Sequence, residues 1–431
     1  MSLLLSPMAK NSSAGFYNGV ATQSLRFDDG DSAVLSKTFG SAGDRKLWTF
    51  STWFKISEIG DGALFGAYES TAQRDVIRIL SGTIGFQIVK TGISTVNTNA
   101  TLLIRDPSAW YHLVLQYNSA DSTESNRTKL WINGVAQTLS GIVGQNVDSH
   151  FGHSQYHSIG ARRTADGNYD SPFDGYMADT HYVNGAGLDY TSFAEFKNGA
   201  YIPKAYSGSY GTNGFYFKYD QVGVGTASTS TIGADTSGNT NHFTSSGIVA
   251  SDCAMPDSPE NNFATWNVLD AEGNANTFSE GNLKTLLAVS GSAEVSGATF
   301  AFNSGKWYWE EHMLASSGNA SNVGVGIKST IGFSDDYWMV RGNGGESNHN
   351  GSQATVSGLS WVTGDTVGIA VDMDAGTWTV SVNGTFISGN VHTGLSGTLT
   401  PFMFNNNSGE THTFTTNFGQ DSTFAGAISA G

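Results

Sequence analysis

Two neighbouring runs set the fold class. Gly364-Asp365-Thr366-Val367-Gly368-Ile369-Ala370-Val371-Asp372-Met373-Asp374 and Thr377-Trp378-Thr379-Val380-Ser381-Val382-Asn383-Gly384 alternate apolar and polar residues with period two. Both break at Gly, Asn and Asp. Period two puts every second side chain on one face of a strand, so one face is buried and the other wetted. The breaks are residues that tolerate tight turns. The same pattern runs through Trp110–Tyr117 and Lys129–Gly134. The chain is therefore expected to be all-β, built of antiparallel sandwiches. Composition agrees: 54 glycines against 7 prolines, with 12% aromatic and 13% charged residues, describe a turn-rich chain without the Ala, Leu, Glu and Lys runs of helices. Its 431 residues are enough for two or three domains.

The net charge of −16, from 37 acidic and 21 basic residues, repels phosphate backbones. No Lys/Arg stripe offsets it, so nucleic acid is not an expected partner. Cys253 is the single cysteine, which excludes an intrachain disulfide and fits assembly in a reducing cytoplasm. Met1–Lys10 contains only the apolar run Leu3-Leu4-Leu5, too short for a signal-peptide core or a membrane span.

Residues 1–19 lack periodicity and read as an N-terminal arm. Strand patterns then begin: Trp48–Ile56, Asp75–Leu80 and Ile84–Lys90, the last two joined by Ser81-Gly82-Thr83 as a short hairpin. Trp110-Tyr111-His112-Leu113-Val114 is followed by Leu130-Trp131-Ile132-Asn133-Gly134-Val135 and then by Phe173-Asp174-Gly175-Tyr176-Met177-Ala178-Asp179. This ordered string, opened by Ser24–Asp31, resembles the LamG-like, concanavalin A-type jelly roll over residues 20–200. Gly305-Lys306-Trp307-Tyr308-Trp309-Glu310-Glu311, the two alternating runs above and Asn417-Phe418-Gly419-Gln420 resemble a SPRY (B30.2-like) domain over 301–424. Residues 201–300 are less regular and read as a loop-rich bridge with an added strand at Asn213–Tyr219; residues 425–431 form a tail. The order of LamG-like unit, bridge and SPRY-like unit resembles virion proteins of tailed bacteriophages, notably tail-fibre-like proteins of marine phages.

Catalytic groupings are weak. Asp372 and Asp374 share a strand face, but they precede Ala375-Gly376 and read as the mouth of a hairpin. Glu310-Glu311 lies on a strand, so one of the two is expected to face solvent. His150, His153 and His157 are the densest histidine set, yet Gly152 and Gly160 favour a loop over a zinc-binding helix. No enzyme activity is expected.

The resemblance to LamG and legume-lectin sandwiches implies that Ca²⁺ can sit on loop carboxylates. Asp166, Asp170 and Asp174, with Asn168, offer hard oxygen ligands within nine residues. The competing reading is a turn in which Asp and Asn cap their own backbone. Sugar recognition needs an aromatic face beside planar hydrogen-bonding groups. Arg162, Arg163, Asn168 and Tyr169 supply these on the first unit. Tyr337, Trp338, Arg341 and Asn343, with His349, supply them on the second. The phage resemblance implies a virion protein, a fibre, spike or capsid appendage, that binds host surface glycan or protein. Alternatives are a purely structural capsid or tail decoration protein and a polysaccharide depolymerase. The implied partners are other virion proteins and further copies of the chain, a trimer being the usual fibre state. The implied location is the surface of the virion.

Overall fold

The computed structural model describes residues 16–272, 276–288, 294–329, 336–342, 344–407 and 409–428. The chain divides into two compact units, Asn11–Asn262 and Phe263–Gly431. Among the described residues the regular structure is antiparallel strand, with four short 3₁₀ turns and no α-helix.

The first unit is a sandwich. One sheet runs Leu25–Phe27, Gly175–Asn184, Leu47–Ile56, Tyr111–Asn118, Thr128–Ile132 and Val135–Ala136, with Phe215–Phe217 added beside Gly175–Asn184. The other runs Leu139–Ser140, Val96–Leu103, Thr83–Val89, Gln73–Leu80, Gly62–Ser70, Tyr156–Ile159, Val34–Thr38 and Thr244–Ser246. Between them lie Trp48, Phe50, Phe54, Phe65, Phe86, Tyr117 and Phe151, stacked or edge-on. Leu47–Ile56 carries large residues on both faces because both are covered. Trp48, Phe50 and Phe54 fill the sandwich, while Trp53 packs outside it with Ala178, Ala194 and Tyr201.

Most of the stretch expected to be a bridge is part of this sandwich, and this expectation needs correcting. Phe215–Phe217 pairs with Thr180–Tyr182, and Thr244–Ser246 pairs with Val34–Ser36. Phe215, Phe217, Phe243 and Cys253 belong to the first core. Two buried cations fasten its end: Arg26 Nη2 to Asp252 at 2.8 Å, and Lys55 Nζ to Asp257 at 3.0 Å. A buried charge is tolerated only beside a partner, so residues up to Asn262 are integral to this unit. Residues 263–300 belong to the second unit instead. There Trp266–Glu272 pairs with Glu294–Ala298, and Lys284–Ala288 pairs with Thr411–Thr415.

The second unit is also a sandwich. Its seven-stranded sheet runs Trp266–Glu272, Glu294–Ala298, Leu399–Asn405, Val323–Ser329, Tyr337–Arg341, Glu346–His349 and Ser352–Thr355. The facing sheet runs Thr277–Ser279, Lys284–Ala288, Thr411–Asn417, Lys306–Ser316, Thr366–Asp372, Thr377–Val382 and Thr385–Phe386, with His392–Thr393 beside Thr377–Val382. Trp266, Trp309, Trp361, Trp378, Met313 and Phe414 form its core.

Among the described residues, five hairpins close on two residues with left-handed backbone: Ser81-Gly82 (φ 50° and 75°), Asn133-Gly134 (49° and 76°), Asn198-Gly199 (52° and 84°), Asn350-Gly351 (49° and 86°) and Asn383-Gly384 (49° and 76°). Paired positive φ values give the turn twist that matches antiparallel strands, which is why Asn-Gly recurs there.

Candidate functional site

In the first unit, Arg162–Arg163 and Tyr169–Asp170 form a small hairpin, with Arg162 opposite Asp170 and Arg163 opposite Tyr169. It packs on the strand Gly62–Ser70 of the eight-stranded sheet. Arg162 and Asp170 meet as a two-pronged ion pair, with Nε donating to Oδ1 at 2.6 Å and Nη2 to Oδ2. This bond is the main reason that Arg162 holds its proton more tightly than usual. The Arg163 guanidinium lies over the Tyr156 ring at 4.1 Å, and the Tyr156 and Tyr169 hydroxyls are hydrogen-bonded to each other. Burial raises the pKa of Tyr156, so its hydroxyl stays neutral.

Two further arginines complete this face. On Gln73–Leu80, Ile77 and Ile79 point into the core, so Arg74 and Arg78 project from the opposite side. Arg74 stands opposite Tyr68 on the neighbouring strand. An open recess is lined by Tyr68, Thr71, Arg74, Arg162, Arg163 and Asp170. Burial, then the like charge of Arg162, lowers the pKa of both Arg74 and Arg78. Sequence proximity pointed to the hairpin but missed these two. The available signal was their spacing of four on a strand that also carries two core isoleucines.

The Ca²⁺ expectation is corrected. Asp170 is engaged by Arg162. Asp166 caps its own loop, accepting from the Thr164 hydroxyl and from the Asn168 side chain at 2.8 Å and backbone at 3.2 Å. These bonds, led by the Thr164 hydroxyl, lower its pKa. Asp174 is a buried residue just before the strand Gly175–Asn184. Among the described residues no group of three His, Cys, Asp or Glu is placed to hold a metal. Asn168 gives one N–H of its amide to Asp166 and is otherwise exposed.

The second-unit cluster is divided by strand alternation. Trp338 is buried in the core and stacks on His349, its cross-strand neighbour, at 4.7 Å. Tyr337 and Arg341 lie on the opposite face, Tyr337 edge-on to Phe402 and Arg341 over Phe404 at 5.7 Å. Residues 337 and 341 share a parity that 338 does not, so the four cannot form one platform. Asn343 lies outside the described residues.

The acidic pairs have structural duties. Asp372 Oδ1 accepts from the backbone of Asp374 and Ala375, and its Oδ2 binds Lys306 Nζ at 2.6 Å. Asp374 accepts from the Gly305 amide at 2.8 Å. Glu311 is buried and accepts from the Thr416 hydroxyl at 2.5 Å; Glu310, only half-buried, accepts from the Tyr308 hydroxyl at 2.8 Å. His150 binds buried Asp75 at 3.0 Å, whereas His157 packs on Phe39 with Nδ1 against the Gln155 carbonyl.

Residues 28–187 match the concanavalin A-like lectin/glucanases superfamily, and residues 306–421 match the SPRY domain. No curated protein matches the chain in sequence. Among solved structures, the SPRY domain of human HERC1 is similar at 20% identity, over 36% of this chain and 97% of that one, with a TM-score of 0.31. A putative carbohydrate binding protein from Bacteroides ovatus is similar at 15% identity, over 53% of this chain and 59% of that one, with a TM-score of 0.36. The heptameric SAP-like pentraxin from Limulus polyphemus is similar at 16% identity, over 38% and 72%, with a TM-score of 0.28.

Proposed function

We propose that this chain, which pairs a concanavalin A-like domain with a SPRY domain, is a binding protein of a tailed-bacteriophage virion that attaches to host surface glycan. The observation that carries the glycan reading is the face built from Arg74, Arg162, Arg163, Tyr156 and Tyr169, where guanidinium planes and phenol rings adjoin an open recess. Pyranose rings have apolar CH patches ringed by hydroxyls, and this mixture of flat and hydrogen-bonding surface complements them. The virion setting rests on the succession of LamG-like and SPRY-like units along one chain. Binding without chemistry is the corresponding reading, because Asp372, Asp374 and Glu311 are committed to a turn, a lysine and a buried hydroxyl. The chain is proposed to act as a homo-oligomer, since single sugar contacts are weak and linked sites multiply them.

The purified chain is expected to bind host cells and to compete with phage for adsorption. Failure of both measurements overturns the attachment reading. Stoichiometric attachment to particles without any cell binding would replace it with decoration of a capsid or tail.

A further inference from the structure

We infer that the outer face of the first unit's eight-stranded sheet accepts anions, and that its ligand is a polysaccharide bearing carboxylate or sulfate groups held by Arg74, Arg78 and Arg163. This rests on the glycan reading above and narrows it. The chain carries 37 acidic and only 21 basic residues, yet four arginines converge on this one face. The nearby carboxylates are already engaged. Asp170 is held by Arg162, Asp166 by its own loop, and Asp61 accepts from the Ser81 amide at 2.7 Å. Among the described residues no hydrogen bond or ion pair holds the side chains of Arg74, Arg78 or Arg163.

Like charges gathered on one face oppose folding; Asp170 and Asp61 offset only part of that opposition, and an incoming anion relieves more of it. Guanidinium forks match carboxylate and sulfate oxygens two at a time. Arg74 and Arg78 stand four residues apart on one strand, so their Cα atoms are about 13 Å apart. A polymer with repeated charges presents anions at intervals along such a row of side chains. Tyr68, opposite Arg74, supplies the ring for the sugar body.

The test uses the full chain and three polymers: heparin for sulfate, polygalacturonate for carboxylate, and dextran as the neutral case. Binding is followed by calorimetry at low and high salt, with circular dichroism to verify folding. At least one charged polymer is expected to bind, more weakly as salt rises. The R74Q/R78Q variant should lose about tenfold or more in affinity, as expected for lost charge-assisted bonds. Lys129→Gln with Lys218→Gln changes net charge equally at the first unit's seven-stranded sheet and should leave affinity unchanged. Which charged polymer binds tells sulfate from carboxylate. Unchanged affinity in R74Q/R78Q, or an equal loss in the control pair, overturns the inference. Dextran binding that disappears in Tyr156→Ala but persists in R74Q/R78Q would overturn the charge assignment while leaving the glycan reading standing. Binding to none of the three overturns both.

Discussion

Arg26 and Asp252, 226 residues apart in sequence, are joined by a 2.8 Å guanidinium–carboxylate bond inside the first unit. The Arg26 side chain has no solvent exposure, so its charge depends on partners within the protein. Asp252 is itself fixed by the Val249 amide at 2.8 Å. Asp252→Leu should lower stability by about 3–5 kcal/mol, because a buried cation loses an anion. The double variant Arg26→Met, Asp252→Leu should recover most of that loss. Urea denaturation of both variants checks the pair; equal losses in the two would contradict it.

Glu311 gives the second unit a predictable response to pH. Burial raises its pKa well above the ordinary carboxylate range. The folded state therefore holds the proton more tightly than the unfolded chain. The stability this contributes is full below the unfolded pKa of about 4.3 and declines as pH rises toward the folded value. Glu311→Gln removes the titration and should raise stability near pH 7 by about 1–3 kcal/mol. Denaturation across pH 4–8 should then show a flatter profile than the parent protein.

His157 acts in the opposite direction. Burial among Phe39, Phe65 and Phe151 lowers its pKa to about 4. An unfolded histidine takes up a proton near pH 6.5, so stability is complete above about 6.5 and falls as pH drops toward 4. His157→Phe should reduce the acid sensitivity of the first unit. Thermal melts at pH 7.5 and 4.5 compare the two proteins, and an unchanged difference between the two pH values would refute this source.

Two of the Asn-Gly hairpins, at Asn133-Gly134 and Asn383-Gly384, offer a matched comparison. A Cβ at Gly384 would meet no atom within 4 Å, whereas one at Gly134 would lie 2.9 Å from the Tyr201 ring and 3.3 Å from Phe196 and Tyr190. Both positions have φ of 76°. Gly384→Ala should therefore cost only the left-handed strain, about 1–2 kcal/mol. Gly134→Ala should cost more, because the aromatic rings must also move. Chemical denaturation of each variant measures the difference.

The strands were legible because period two and Asn-Gly turns are local signals, and Lys129–Gly134 and Thr377–Gly384 display both. The site was legible only where it is contiguous. Arg162, Arg163 and Tyr169 meet within one hairpin, but Arg74 and Arg78 join them through sheet pairing that no local pattern reveals. Tyr337 and Trp338 misled because adjacency along a strand means opposite faces. Asp166 resembled a metal ligand because the oxygen that would bind a cation also caps a turn. Residues 201–300 read as a loop-rich bridge because the anchors of their first part, Asp252 and Asp257, are recognisable only with Arg26 and Lys55 in view.

Those anchors constrain the order of biosynthesis. Arg26 and Lys55 leave the ribosome some 200 residues before the aspartates that neutralise them. Until Asp257 has been made, the nascent first unit cannot seal its outer layer without stranding two cations, and non-local pairing of this kind makes folding slow. Dissection of the chain follows the same logic. A fragment cut at residue 200, where the LamG-like resemblance ends, would contain both cations and neither of these aspartates, whereas one cut after Asn262 keeps the pairs together.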